Sequence, residues 1–144
     1  IFNRQLSLAE KYHKTVVIRS RDAIEDTYNI LKKHKVKSVI HCFSSSYEMA
    51  VKFTKLGSKL GIGGVLTFKN SSKLKEIVEK LDLSNFVLET DSPYLTPEPY
   101  RGTKNNPIYT LIVAAKIAEI KNLTKEEVLA VTTENALSQF DLTI

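Results

Sequence analysis

Short runs of β-branched and apolar residues alternate along this chain with longer stretches whose apolar positions recur every three or four residues, the pattern of strands separated by helices. Phe2, Leu6 and Ala9 already fall at helical spacing. Thr15 to Ile18 reads as a short strand, and Asp22 with Glu25 has the spacing of a capping box for a helix carrying Ile24, Tyr28 and Leu31 on one face. Ser38 to Phe43 is the second strand, after which Ser45 and Glu48 cap a helix that buries Met49, Ala50 and Phe53 and stops at Gly57. A third strand, about Lys59 to Val65, runs through Gly61-Ile62-Gly63-Gly64, and a helix after Asn70 presents Leu74, Ile77, Val78 and Leu81. The fourth strand is Phe86 to Glu89. Beyond a loop stiffened by Pro93, Pro97 and Pro99, Pro107 opens a helix through Leu111, Ala114, Ala115 and Ala118. Thr124 and Glu127 then cap a last helix that buries Val128, Val131 and Leu137.

Strands that each lead into a helix predict an α/β fold with a parallel sheet and right-handed crossovers. The pattern by itself leaves two architectures open, an open doubly wound sheet and part of a closed (β/α)8 barrel. With 144 residues and 42% hydrophobic content, one domain spanning residues 1–144 is expected. The formal charge is +5, from 21 Lys and Arg against 16 Asp and Glu, and the lysines are scattered over solvated faces, so the surface tolerates polyanions without singling them out. The single cysteine, Cys42, lies in an apolar strand, which rules out an internal disulfide and fits a small core residue in a reducing, cytoplasmic setting. No stretch of the chain resembles a signal peptide or an apolar run of membrane length. The only methionine is Met49, and the opening residues are helical in pattern, so the chain is expected to begin within a longer design.

Two strands end abruptly on side chains with chemistry, Val39-Ile40-His41 and Leu88-Glu89-Thr90-Asp91. Catalytic groups of α/β proteins gather at the carboxyl ends of strands, which makes His41 and Asp91 the leading candidates. Glu89 lies two residues from Asp91, so strand geometry turns both to one side. His13 and His34 stand near helix ends among lysines and read as solvent-exposed bystanders. The Gly61-Ile62-Gly63-Gly64 run lacks the spacing of a dinucleotide or P-loop signature and reads as a close-packed strand end.

In order, Gln5-Leu6-x-Leu8-Ala9, Ser20-Arg21-Asp22-Ala23, Val39-Ile40-His41-Cys42-Phe43-Ser44, Gly61-Ile62-Gly63-Gly64, Thr67-Phe68-Lys69-Asn70, Glu89-Thr90-Asp91-Ser92-Pro93-Tyr94-Leu95 and Arg101-Gly102 followed by Asn105-x-Pro107 resemble the TatD family of metal-dependent deoxyribonucleases. The resemblance implies a (β/α)8 TIM-type barrel that holds divalent metals at its strand ends and hydrolyses phosphodiester bonds in DNA, with this chain as the last four β/α units. It places a metal ligand at His41 and a catalytic, metal-associated carboxylate at Asp91; Glu89, turned to the same side by strand geometry, reads either as a supporting partner of that site or as a buried, hydrogen-bonded carboxylate. An imidazole and a carboxylate at adjacent strand ends suit a divalent ion such as Mg, Mn or Zn, which acidifies a bound water and neutralises phosphate charge. Arg101, Lys104 and Asn105 are the candidate phosphate contacts in the loop after the last strand.

Departures from the family pattern matter equally. The His-x-His pair and the glutamate that the family places ahead of this region have no counterpart here. A histidine expected before Ser20-Arg21 is replaced by Arg19, whose guanidinium cannot ligate a cation and repels one. Arg19 is therefore expected to stand in a metal's place and hold a phosphate. Four β/α units alone leave two sheet edges, to be closed by a second copy or by an amino-terminal portion. Two further readings stay open beside an impaired nuclease: a non-catalytic remnant that binds nucleic acid, and an open-sheet nucleotide- or partner-binding module.

Overall fold

The computed structural model describes residues Ile1–Ile144. Its elements are α1 (Phe2–Lys11), β1 (Val16–Arg19), α2 (Ile24–Leu31), β2 (Ser38–His41), α3 (Tyr47–Lys55), β3 (Lys59–Ile62), α4 (Ser72–Lys80), β4 (Phe86–Leu88), α5 (Thr110–Lys121) and α6 (Lys125–Gln139). The four strands form one parallel sheet in the order β1-β2-β3-β4, so each helix returns the chain to the neighbouring strand position. This is the α/β class that the alternating pattern predicts.

Register divides the sheet into two faces with different tasks. Ile18 pairs with Ile40, Ile40 with Leu60, and Leu60 with Phe86, and all four residues belong to the main apolar core with Phe53, Ile77, Val113, Ile117 and Val128 of the helices. Phe53 is fully buried and meets Tyr28 and Phe43 edge to face, at centroid separations of 5.6 and 6.4 Å. Because side chains alternate along a strand, the opposite face carries Val17, Arg19, Val39, His41, Gly61 and Val87. Val17 on the outer strand β1 is 57% exposed there. The polar strand ends thus emerge on the face that the helices do not cover.

The lower rim is tied by α6. Gln139, itself buried, donates from Nε2 to the carbonyls of Ser38 (2.8 Å) and Gly57 (3.0 Å), while Thr15 Oγ1 donates to the Gln139 carbonyl at 2.6 Å. Lys37 Nζ adds bonds to the Ser138 carbonyl at 3.0 Å and to Asp141 at 2.6 Å.

Several local expectations shift. The predicted Asp22–Glu25 capping box is absent: α2 starts after Ala23 with no side-chain cap, and the nearby polar contact is instead Thr27 Oγ1 to Ser20 Oγ at 3.1 Å. Ser46, not Ser45, caps α3 by accepting from the Met49 N–H. The third strand stops at Ile62, because Gly63 and Gly64 turn into a 3-10 segment, Gly64–Thr67, at a place where a Cβ on Gly64 would overlap the backbone of Leu95 and Pro97. Pro107 opens a 3-10 turn capped by Asn106, and α5 begins only at Thr110. In α5 and α6 the inward positions are Val113, Ala114, Ile117, Ala118 and Val128, whereas Leu111 and Val131 lie outward. His34 is not a solvent-exposed bystander: its ring is 9% exposed, with Nδ1 3.1 Å from Glu10 and Nε2 2.6 Å from Asn3, so it fastens α1. Only Thr124 and Glu127 form the full reciprocal capping box, at α6.

Candidate functional site at the strand ends

The site is built where β1, β2 and β4 deliver their last residues. Arg19 and His41 are direct partners in the β1–β2 register, so their side chains leave the sheet next to each other on the same face. Glu89 follows β4, and its N–H donates to the Ile62 carbonyl at 3.0 Å, which extends the ladder by one residue. Asp91 is held two residues further on by a bridge to Tyr94, whose N–H donates to the Asp91 carbonyl at 2.7 Å.

Glu89 reaches across β3 to β2. Its Oε2 lies 2.8 Å from His41 Nδ1, and its Oε1 accepts a short bond from the Cys42 N–H, which a left-handed backbone at Cys42 (φ 50°) presents to it. That path is open only because Gly61 stands between the two strands: a Cβ there would overlap the Glu89 carboxyl group. Burial raises the Glu89 pKa, against the opposing bonds from His41 and the Cys42 N–H. The Cys42 thiol is likewise raised, first by burial and then by the Glu89 and Asp91 charges. Cys42 is half-buried and lies just past the end of β2, not inside the strand.

Asp91 faces two groups. Arg19 clamps it through a fork of Nη1 to Oδ1 (3.1 Å) and Nη2 to Oδ2 (2.8 Å), and His41 Nε2 lies 3.4 Å from Oδ1. The guanidinium beside it holds the Asp91 carboxyl below the usual carboxylate range, and the same pairing raises Arg19. Both ring nitrogens of His41 therefore look onto carboxylate oxygens, with Glu89 fixing one side of the imidazole.

Arg19, His41 and Asp91 open onto a cleft of about 660 Å³ lined also by Ser20, Arg21, Ser44, Ser92 and Tyr94, whereas Glu89 is not part of its wall. Arg19, His41, Glu89 and Asp91 are brought together as one cluster. Arg101 and Lys104 are not part of the cleft wall: Arg101 lies over the Phe68 ring at 3.8 Å and Lys104 is exposed on the same loop. Asn105 is buried, donating from Nδ2 to the Tyr94 carbonyl (2.8 Å) and accepting from the Asn106 N–H, so its side chain spans the loop that carries Asp91. Sequence reasoning missed Gly61 as the opening for Glu89. The signal was present as a glycine on the chemical face of a strand, a place where backbone or another side chain approaches closely.

A parallel α/β sheet with an imidazole and two carboxylates gathered at the carboxyl ends of its strands defines the class, an α/β architecture with a polar strand-end site. Within that class, the family described as TatD related DNase matches residues 1–141, and the chain belongs to it. An uncharacterized metal-dependent hydrolase of Bacillus subtilis, YabD, is 42% identical over 143 residues, covering 97% of this chain and 56% of that protein. The Escherichia coli protein YcfH, also named an uncharacterized metal-dependent hydrolase, is 35% identical over 144 residues, covering 98% and 54%. The crystal structure of the TatD homologue YjjV from Escherichia coli superposes with a TM-score of 0.91 at 31% identity, covering 98% of this chain and 55% of that one. A TatD family hydrolase from Entamoeba histolytica shares the fold with a TM-score of 0.85 at 19% identity. The chain spans about half the length of the relatives it matches.

Family membership implies a divalent metal, and the donors present do not fit one. Glu89 spends one oxygen on His41 and the other on the Cys42 N–H, and Arg19 spans both oxygens of Asp91. No group of three or more His, Cys, Asp or Glu side chains is arranged to hold an ion. The positive charge at this carboxylate is Arg19. No helix is long and apolar enough to cross a membrane.

Proposed function

We propose that these four β/α units are the last four of a (β/α)8 barrel and carry the carboxyl-terminal share of a site that cleaves phosphodiester bonds in DNA, with hydrolysis impaired in this chain. The observation that carries this reading is the convergence of His41, Glu89 and Asp91 at neighbouring strand ends in a TatD family chain. Phosphodiester cleavage needs charge on the phosphate to be neutralised and a water to lose a proton. Arg21 brings positive charge to the cleft, and His41, oriented by Glu89, is the group suited to take a proton. Impairment follows from Asp91, whose two oxygens are already engaged by Arg19.

The same ion pair favours a second reading, a non-catalytic remnant that binds nucleic acid without cutting it. End-labelled single- and double-stranded DNA and supercoiled plasmid, incubated with the chain in Mg, Mn or Zn, separate the two. Slow cleavage that Asp91→Asn removes supports the proposal; binding with no cleavage supports the remnant. A folded protein that neither binds nor cuts DNA refutes both. Sedimentation of the same samples shows whether a second copy, or only an added amino-terminal portion, closes the sheet.

A further inference from the structure

The family's divalent ion and this chain's side chains disagree at one point, Asp91, and the disagreement has a positive content. Arg19 leaves β1 in register with His41, and its guanidinium reaches Asp91 with two parallel bonds of 3.1 and 2.8 Å. A fork of this kind neutralises a carboxylate and takes one lone pair of each of its oxygens, with both oxygens facing nitrogen donors in one plane. His41 Nε2, the ring nitrogen not taken by Glu89, looks onto the same carboxylate from 3.4 Å. A cation seated between His41 and Asp91 would therefore have to displace the guanidinium and then lie beside it.

We propose that Arg19 is the resident cation of this site, a covalently attached counter-charge that takes the place of a divalent ion at Asp91 and leaves the His41–Asp91 pair closed to metal. This rests on the hydrolase reading only for the expectation that a metal belongs at Asp91; the exclusion itself follows from the side chains. Charge compensation by a side chain does not depend on metal supply. The guanidinium also offers no exchangeable water to activate, which gives a chemical reason for impaired hydrolysis.

The test is metal binding without DNA. Wild type, Arg19→His and Arg19→His/Asp91→Asn are stripped with chelator, then titrated with Mn by electron paramagnetic resonance and with Zn against a chromogenic chelator, alongside thermal unfolding. Wild type is expected to take up no equivalent of metal and to keep its Tm. Arg19→His is expected to bind one equivalent and to rise in Tm, with both gains lost on adding Asp91→Asn. If Arg19→His does not fold, Arg19→Asn replaces it, with the same gain expected at lower affinity. Wild type binding one equivalent that Asp91→Asn abolishes overturns the proposal. So does a folded Arg19→His or Arg19→Asn that binds none. The DNA reading fails separately, when a metal-loaded Arg19→His protein still neither binds nor cuts DNA.

Discussion

Gly61→Ala tests the architecture of the site through a single methyl group. Gly61 lies on β3 between His41 and Glu89, and its missing side chain is the space in which the Glu89 carboxyl group sits. The added Cβ would force Glu89 to withdraw, breaking its contact with His41 at 2.8 Å and its bond from the Cys42 N–H. Hydrogen bonds to a charged group are worth about 1.5 kcal/mol each at the low end, so the gross loss is about 3 kcal/mol. Alanine is more favourable than glycine in a strand by about 0.5–1 kcal/mol, which leaves a net cost of about 2–2.5 kcal/mol. Urea unfolding at neutral pH gives the number directly, provided the m-value is unchanged. The decisive comparison repeats Gly61→Ala in a Glu89→Ala background, where the obstructing group is gone. There the methyl group should be neutral or slightly stabilising, giving a coupling of about 2–3 kcal/mol. Equal costs in both backgrounds would show that something other than Glu89 demands glycine at this position.

Acid stability provides a second check. Arg19 holds Asp91 below its ordinary value of 3.8, so the pair's contribution is present above that pH and is lost as pH falls through the lower folded-state value. The stability difference between wild type and Arg19→Gln should shrink below about pH 4 in urea midpoints taken from pH 7 to pH 2; a difference that stays constant contradicts the pairing. At the opposite rim, Gln139→Ala removes the donors for the Ser38 and Gly57 carbonyls and should cost about 1–3 kcal/mol. An unchanged unfolding midpoint would mean that water replaces the amide without loss.

The order of strands and helices was legible because each unit follows a local rule: β-branched runs at Val16 to Ile18 and Ser38 to Ile40, and apolar spacing in α3 and α4. His41 and Asp91 stood out because both follow strands directly. What escaped depends on distant partners. Nothing local indicates that Arg19 meets Asp91, 72 residues away, and so turns onto a carboxylate where a phosphate was expected. The capping box at Asp22 and Glu25 had correct spacing, yet α2 starts one residue later than Asp22 requires. His34 looked like a surface residue in a lysine-rich stretch, until α1 folded over it and supplied Glu10 and Asn3. The end of the third strand was set by Leu95 and Pro97 pressing on Gly64, from a loop some thirty positions later.

The clamp around Gln139 also has a bearing on the order in which the molecule comes together. Thr15 and the Gln139 carbonyl are 124 positions apart, and the Gln139 amide reaches carbonyls 101 and 82 positions earlier. Neighbouring β/α units can associate as they are made, each closing only a short stretch of backbone. The lower ends of β1 and β2 must instead wait for the last helix, at the greatest loop-closure cost in the molecule. Of these four strands, β1 would leave a ribosome before the others and its lower end would be secured last, so its amides should be the latest of the four to gain protection from hydrogen exchange.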